Sequence, residues 1–600
     1  MQPETKTRMT IDSFASFSVS QKAEFHCGML MRMIKFPAVR TILLIVASVT
    51  VSNAQDSPAE LHDLAHQYYE WRTHEFPVES SSEGLHTWDA RLTDESSDAI
   101  QRRNRHIHEL LERVRAMRSE GWSKNDQIDQ ALFRTQLEEP DFNARVLQPY
   151  ENNPLYYVSE CSNGIFSLVK KEYAPHHDRA LAATERLRAI PELTKQAKAN
   201  LTHPVRLYAQ LAIASARSID PLFTTSLMSL ADGLNPAERA KLELARDQAL
   251  EAIHSFADYL QTHLSTMPPY QAMGVANYEY YLRHVYLLPM DATQLDMLGQ
   301  AELARYRGLE ALLPNPDMAN PNPARAKHVP QNQEEFLEAY ESRLGDVLSF
   351  LRDQNLITIP PYIGAFHIRQ LPEAFKPTYP GGFMNPPGVY DQDNSGFYFI
   401  PTYSPMSGNF YIRAAIEEPR PLLGHEGIPG HFLQLSISNH LEDEIRRHQG
   451  DGVFTEGWAL YTEEMLLRRG FYPPGSAAEG QILRLSRYRA ARVGVDVNLN
   501  TGRWTFEQAV KYFMDEGGLD KEAATGEAAG AASIPTQKMT YITGKFEIMR
   551  LLGRYRDRMG DQFSLKQFHD DLLRNGSLPL SIESWILLDD RSDLDRALTD

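Results

Sequence analysis

Hydrophobic residues recur at intervals of three and four along most of this chain. Between Ser57 and about Leu260 the spacing is seen in Leu61, Leu64 and Tyr68 and again in Leu110, Leu111 and Val114, with charged residues between them. That period matches one face of an α-helix, so the region predicts a run of amphipathic helices. Asn153-Pro154, Pro268-Pro269 and Asn315-Pro316 mark turns between them. Residues 313–331, rich in Pro and Asn, read as a linker or long surface loop. The pattern changes near residue 358. Pro360-Pro361-Tyr362, Pro380-Gly381-Gly382 and Pro386-Pro387-Gly388 are turn-rich, and 396–400 and 409–412 read as short strands. Helical spacing returns over 422–438, 454–469, 478–498, 505–515, 536–558 and 564–574. The predicted architecture is mainly α, with a small β-sheet beside one polar helix pair.

One apolar stretch, Thr41–Val51, has no polar face. Arg32, Lys35 and Arg40 precede it, and Ser52-Asn53-Ala54 follows with small residues where a signal peptidase reads. About a dozen apolar residues are too few to span a bilayer as a helix. Residues 1–54 therefore read as a removed export signal, leaving a periplasmic or secreted protein with no membrane contact after cleavage. An uncleaved anchor is the competing reading. No cysteine follows the cleavage position, so a lipid anchor is not expected. At 600 residues the chain exceeds what one core usually organises. It divides into the signal (1–54), an N-terminal helical region (55–357) and a metal-site region (358–600).

Composition narrows this further. With 42% hydrophobic and 23% charged residues the chain can bury an ordinary globular core. A formal charge of −18 argues against nucleic acid as partner, because phosphate binding needs a basic surface. Of the two cysteines, Cys27 falls in the signal, so Cys161 has no intrachain partner afterwards. Stability must come from packing and, locally, from metal.

The chemistry concentrates in Leu423-Gly424-His425-Glu426-Gly427-Ile428-Pro429-Gly430-His431. Two neutral imidazoles can bind a zinc ion, and Glu426 stands where a carboxylate can take a proton from activated water. The two histidines are six residues apart, which on a regular helix leaves them about 120° off a common face. Pro429-Gly430 offers the remedy, since proline breaks the helical ladder and glycine tolerates unusual torsions. Glu456 follows 25 residues after His431, enough for a loop and a return helix. A His425, His431, Glu456 set leaves one position open, as a catalytic zinc site requires. Glu463, two turns beyond Glu456, is placed to support a ligand histidine.

These residues resemble the bacterial domain-of-unknown-function 885 proteins, which look like distant relatives of helical zinc peptidases such as thimet oligopeptidase and angiotensin-converting enzyme. The matching pieces are His425–Gln434, Glu456–Glu463, Arg489-Ala-Ala-Arg492 with Asp496, Tyr541-Ile-Thr-Gly544, and Phe568–Leu573 followed by Gly576–Leu580. The resemblance implies a two-lobed helical zinc-peptidase-like fold with a deep cleft and one Zn2+ ion at its floor. It implies His425, His431 and Glu456 as ligands, Glu426 as general base, and Tyr541 as a phenol over the metal. The chain departs from the family pattern at Asn500, where a histidine is usual.

Other residues carry weaker signals. His569 suits helix packing. His106 and His108 point about 200° apart on a helix and read as a solvated face. His176-His177 precedes Asp178 in a predicted loop with no visible partner. The strand expected at 409–412 would pair with an extended peptide. Arg413, Arg420, Arg492 and Lys538 are either anchors for a substrate carboxylate or members of salt bridges. The expected function is zinc-dependent hydrolysis of a peptide substrate. The alternatives are a hydrolase of non-peptide amides or esters, and an exported binding protein with a vestigial site.

Overall fold

The computed structural model describes residues 56–371, 382–404, 406 and 410–599. The expected export signal lies outside the described residues. Helices start where the sequence supplies a cap. Ser57, Ser96 and Ser123 accept backbone N–H groups at the starts of α1 (Pro58–Glu75), α2 (Ser97–Ala116) and α3 (Lys124–Phe142), relieving donors that a helix start leaves unpaired. After α4 (His176–Asn200), Asn235 with Glu238 and Asp291 with Gln294 form reciprocal capping boxes on α5 (Pro236–His263) and α6 (Ala292–Ala311). The Pro- and Asn-rich stretch after α6 is not free. It folds into two single turns, Pro316–Ala319 and Pro323–Arg325, and Arg325 pairs with Glu417 at 2.5 Å before α7 (Gln333–Asp353) begins.

The sheet has three strands in the order β1 (Phe366–Gln370), β3 (Gly396–Ile400), β2 (Phe383–Asn385). β1 runs parallel to β3, with Phe366 opposite Gly396, and β2 runs antiparallel, with Met384 opposite Tyr398. The strand expected at 409–412 is not there: Phe410–Glu417 is a helix, α8. The apolar triplet Phe410-Tyr411-Ile412 resembles a strand alone, but Ala414, Ala415 and Ile416 continue it at helical spacing and are buried.

The rest is helical: α9 (Arg420–Glu426), α10 (His431–Ser438), α11 (Glu444–Arg447), α12 (Gly452–Arg468), α13 (Ala477–Asn500), α14 (Lys521–Ser533), α15 (Thr540–Met559), α16 (Leu565–Leu573) and α17 (Leu580–Leu588). α14 escapes a periodicity reading because it is built of Ala and Gly and buried from Gly526 to Ala532, so no polar stripe alternates with an apolar one. One apolar cluster takes Leu187 and Phe256 from the N-terminal helices and Trp458, Val493 and Ile542 from the C-terminal ones. α6 presses on α13 where Gly299 meets Val493, close enough that a Cβ on Gly299 would stand 2.8 Å from the valine. The N-terminal helices thus brace the C-terminal ones. No helix of the described residues is long and apolar enough to cross a membrane.

Candidate metal centre

α9 ends at Glu426 and α10 starts at His431. Between them Gly427 and Gly430 have ψ of −118° and −135°, outside both the helical and the extended ranges, and the Ile428–Pro429 peptide is cis. At Gly430 the chain folds back so tightly that a Cβ would overlap the carbonyl oxygens of Gly424 and His425, which is why a glycine stands there. α12 holds this turn: Trp458 Nε1 donates to the Pro429 carbonyl at 2.8 Å and Thr462 Oγ1 to that of Gly424 at 3.2 Å. The two imidazoles, six residues apart in sequence, consequently face each other with ring centroids 4.8 Å apart and planes at 86°.

Glu456, on the first turns of α12, completes the group. His425, His431 and Glu456 each offer a ligand atom, all within 4.8 Å of one another. His431 Nε2 lies 3.4 Å from Glu456 Oε2. Zinc bonds of about 2.0–2.2 Å at tetrahedral angles set ligand atoms about 3.3–3.6 Å apart, so this pair already has the spacing of two ligands on one ion. Among the described residues, Glu456 Oε2 is buried without a hydrogen-bond donor. Two imidazoles and a carboxylate are also the donor types zinc takes in catalytic sites. The residues fit the ion.

His425 is fixed from behind. Its Nδ1 lies 2.7 Å from Glu463 Oε1, leaving Nε2 as the ligand atom, and Arg489 Nη1 reaches both Glu463 oxygens at 3.0 and 3.2 Å. Burial pushes Glu463 up, but Arg489 and then His425 outweigh it and hold the carboxyl below its ordinary range. Burial likewise opposes ionisation of Glu456. His431, then His425 and the Tyr541 hydroxyl, overcome it and hold Glu456 at about 2. His431 loses basicity to burial and regains more from Glu456, so its pKa ends above the usual histidine value. The pocket is thus built for positive charge.

Two further groups border it. Glu426, half-buried at the end of α9, follows His425 directly; burial lifts the phenols of Tyr340 and Tyr398 and the nearby Glu426 charge adds to it, as it adds to the effect of Glu456 on His431. Tyr541 reaches Glu456 because α12 and α15 cross in contact: Gly544 lies against Gly457, and a Cβ on Gly544 would overlap the Val453 carbonyl oxygen. One helical turn before Gly544, Tyr541 is thereby brought beside Glu456, the neighbour of Gly457. Arg492 and Arg489 lie 5.0 and 5.7 Å from its ring centroid. Burial, then Glu456, pushes the Tyr541 phenol well up, so it is a hydrogen-bond donor at neutral pH.

The family model described as a bacterial protein of unknown function (DUF885) matches residues 77–583. The chain belongs to this family. No curated protein matches it. Among solved structures, this DUF885 protein is similar to a candidate lipoprotein of unknown function from Shewanella oneidensis, at 22% identity and a TM-score of 0.69 over 89% of this chain and 100% of that one. It is also similar to a candidate lipoprotein from Colwellia psychrerythraea, at 18% identity and a TM-score of 0.71 over 90% and 100%. At such identities the likeness is one of fold.

The remaining residues of this DUF885 protein fall into structural roles. Asn500 is buried and fully engaged: Nδ2 donates to the Asp496 and Ala531 carbonyls at 2.9 and 3.2 Å and to Asp496 Oδ1 at 3.1 Å, and Oδ1 accepts from the Tyr270 hydroxyl at 2.6 Å. Asp496 accepts from the backbone N–H groups of Thr536, Lys538 and Met539 and so shapes the turn leading to Tyr541. Arg492 and Lys538 pair with Glu527, at 2.9 and 3.7 Å, as buried rather than exposed ion pairs, and Arg420 pairs with Glu418 at 2.5 Å. Arg413 keeps a buried Nε without a partner among the described residues. His569 is a packing residue, with Nε2 2.7 Å from the Tyr461 hydroxyl and Nδ1 2.8 Å from the Leu356 carbonyl. His176 and His177 open α4 instead of lying in a loop, and they contact Glu172 and Asp178 at 3.3 and 3.0 Å. The partnership of Arg489 with Glu463 and the Gly457–Gly544 crossing had no separate signal in the sequence, because both depend on which helices meet.

Proposed function

We propose that this protein is an exported, zinc-dependent hydrolase that cleaves peptide bonds. The observation that carries the reading is the convergence of His425, His431 and Glu456 within 4.8 Å, with Glu463 locking one imidazole. A zinc ion bound there would polarise the scissile carbonyl and lower the pKa of a water towards about 7. Glu426 takes the proton of the attacking water and delivers it to the leaving amine. Tyr541 donates a hydrogen bond to the developing oxyanion, a contact typically worth about 3–4 kcal/mol. Glu463, itself fixed by Arg489, keeps His425 in the tautomer with Nδ1–H towards the carboxylate.

Peptide as substrate class is supported by β1, an edge strand of the sheet beside the metal helix, where the Phe366 ring stacks on Phe432 of α10 at 4.8 Å. Such an edge can pair with an extended backbone. The helix at Phe410–Glu417 removes the second strand edge that favoured peptides, and it is the specific reason to keep non-peptide amides and esters as the second reading. Export is supported by the signal-like pattern at 41–54 and by the description of both solved relatives as candidate lipoproteins. The test is a peptide library incubated with the protein, its products read by mass spectrometry with and without chelator. New termini that vanish with chelator support the reading. Cleavage of simple amides or esters alone selects the second one, and no turnover of either removes both.

A further inference from the structure

A second group of metal-ligating side chains lies away from the catalytic candidates. His62 on α1, Asp129 on α3 and Asp443, the residue that caps α11, each offer a ligand atom within 4.8 Å of one another. The Asp129 side chain is 4% exposed. Its Oδ1 accepts from Arg446 Nε at 2.8 Å, whereas Oδ2 has no donor among the described residues and points to His62 Nε2 at 3.8 Å. Asp443 uses Oδ1 to cap α11 through the Arg446 N–H at 2.9 Å, and its second oxygen has no donor among the described residues. Two carboxylates and an imidazole held this close together make an electronegative pocket that a cation would offset. Arg446 offsets one of the two negative charges, so the group as a whole remains at −1 with His62 neutral.

We propose that His62, Asp129 and Asp443 form a second divalent-cation site, with zinc as the favoured ion. An imidazole nitrogen among carboxylates selects zinc and its transition-metal neighbours over calcium or magnesium, which take all-oxygen shells. Its place in the chain gives it a purpose. α11 lies on the connection between α10, which carries His431, and α12, which carries Glu456. An ion shared by His62, Asp129 and Asp443 fastens that connection to the N-terminal helices α1 and α3. The same seam already carries His66 Nδ1 at 3.1 Å from Glu444 and the Tyr69 ring stacked on His448 at 4.1 Å. The site is the weaker of the two, because it has one imidazole instead of two, its His62 side chain is 40% exposed, and Arg446 competes for Asp129.

The experiment is zinc titration of the tag-free chain after removal of all metal, following bound ion by equilibrium dialysis with elemental analysis and melting temperature in parallel. The proposal expects two zinc ions per chain, the second weaker by roughly tenfold or more. His62→Ala and Asp443→Asn, the latter chosen because Asn still caps a helix, should each lose the weaker ion and keep the tighter one. His431→Ala should keep the weaker ion and its zinc-induced rise in melting temperature, and adding His62→Ala should abolish both. Saturation of the native chain at one ion, with binding unaltered in His62→Ala, overturns the proposal. So does a second ion that survives both His62→Ala and Asp443→Asn. Because His62 variants are compared with His431 variants, failure of this site and failure of the catalytic reading give different patterns.

Discussion

Replacing Glu463 with glutamine separates the metal's support from the fold's. The side chain is 1% exposed, touches His425 Nδ1 at 2.7 Å and holds Arg489 at 3.0 and 3.2 Å. Glutamine keeps the shape and removes the charge, with two separable effects. Partners behind a ligand histidine typically carry about 10–100-fold of metal affinity, or about 1.4–2.8 kcal/mol. Arg489, its side chain 8% exposed, is left without its counter-charge, and breaking a buried pair from one side costs about 3–5 kcal/mol. Zinc affinity measured against a competing chelator should therefore fall by one to two decades, roughly. The melting temperature of the metal-free protein should fall as well. In Glu463→Gln with Arg489→Met the buried cation is gone, so the metal-free protein should regain most of its stability while zinc affinity stays low. Affinity within about twofold of the native value in Glu463→Gln would refute the claim that this carboxylate serves His425.

Three other outcomes are expected. Glu426→Gln should retain zinc and lose turnover by about 10²-fold or more, measured on whichever peptide the library identifies; undiminished turnover would show that Glu426 is not the base. Gly544→Ala drives a methyl into the Val453 carbonyl oxygen and sets it 2.8 Å from Gly457 Cα, where ordinary contact begins near about 3.4 Å, so α12 and α15 must part. Turnover should drop by about 10²-fold with zinc still bound, since a displacement of about 1 Å of a catalytic group has that effect, and native activity would discount the crossing. Burial, against a weaker pull from its contact with the Leu356 carbonyl, lowers His569 from 6.5 to about 4. The unfolded chain then binds the proton more readily, so this group's contribution is complete above pH 6.5 and is lost as pH falls towards 4, by about 3 kcal/mol in all. Melting temperature between pH 7 and pH 5 should fall less steeply in His569→Gln than in the native protein, and parallel curves would contradict the assignment.

Much of this was legible before the structure. The three-and-four spacing locates most of the long helices, and the break at Pro429-Gly430 follows from the need to bring His431 round to His425. Glu463 could be placed because seven residues on a helix return to the same face. The misreadings share a cause. Phe410-Tyr411-Ile412 has the residue types of a strand, and only the burial of Ala414 and Ala415 makes it a helix. α14 has no polar stripe because it is enclosed by other helices. Arg489, Gly457 and Gly544 matter through contacts between helices, which no local pattern encodes. Asn500 is explained by its bonds to Asp496, Ala531 and Tyr270, a network that requires three separate segments to meet.

The most direct test is anomalous diffraction at the zinc edge from crystals of the zinc-loaded protein. A peak about 2.0–2.2 Å from His425 Nε2, His431 Nε2 and a Glu456 oxygen is the predicted result. Density showing those three side chains bonded only to one another, in crystals grown with zinc, would contradict the account.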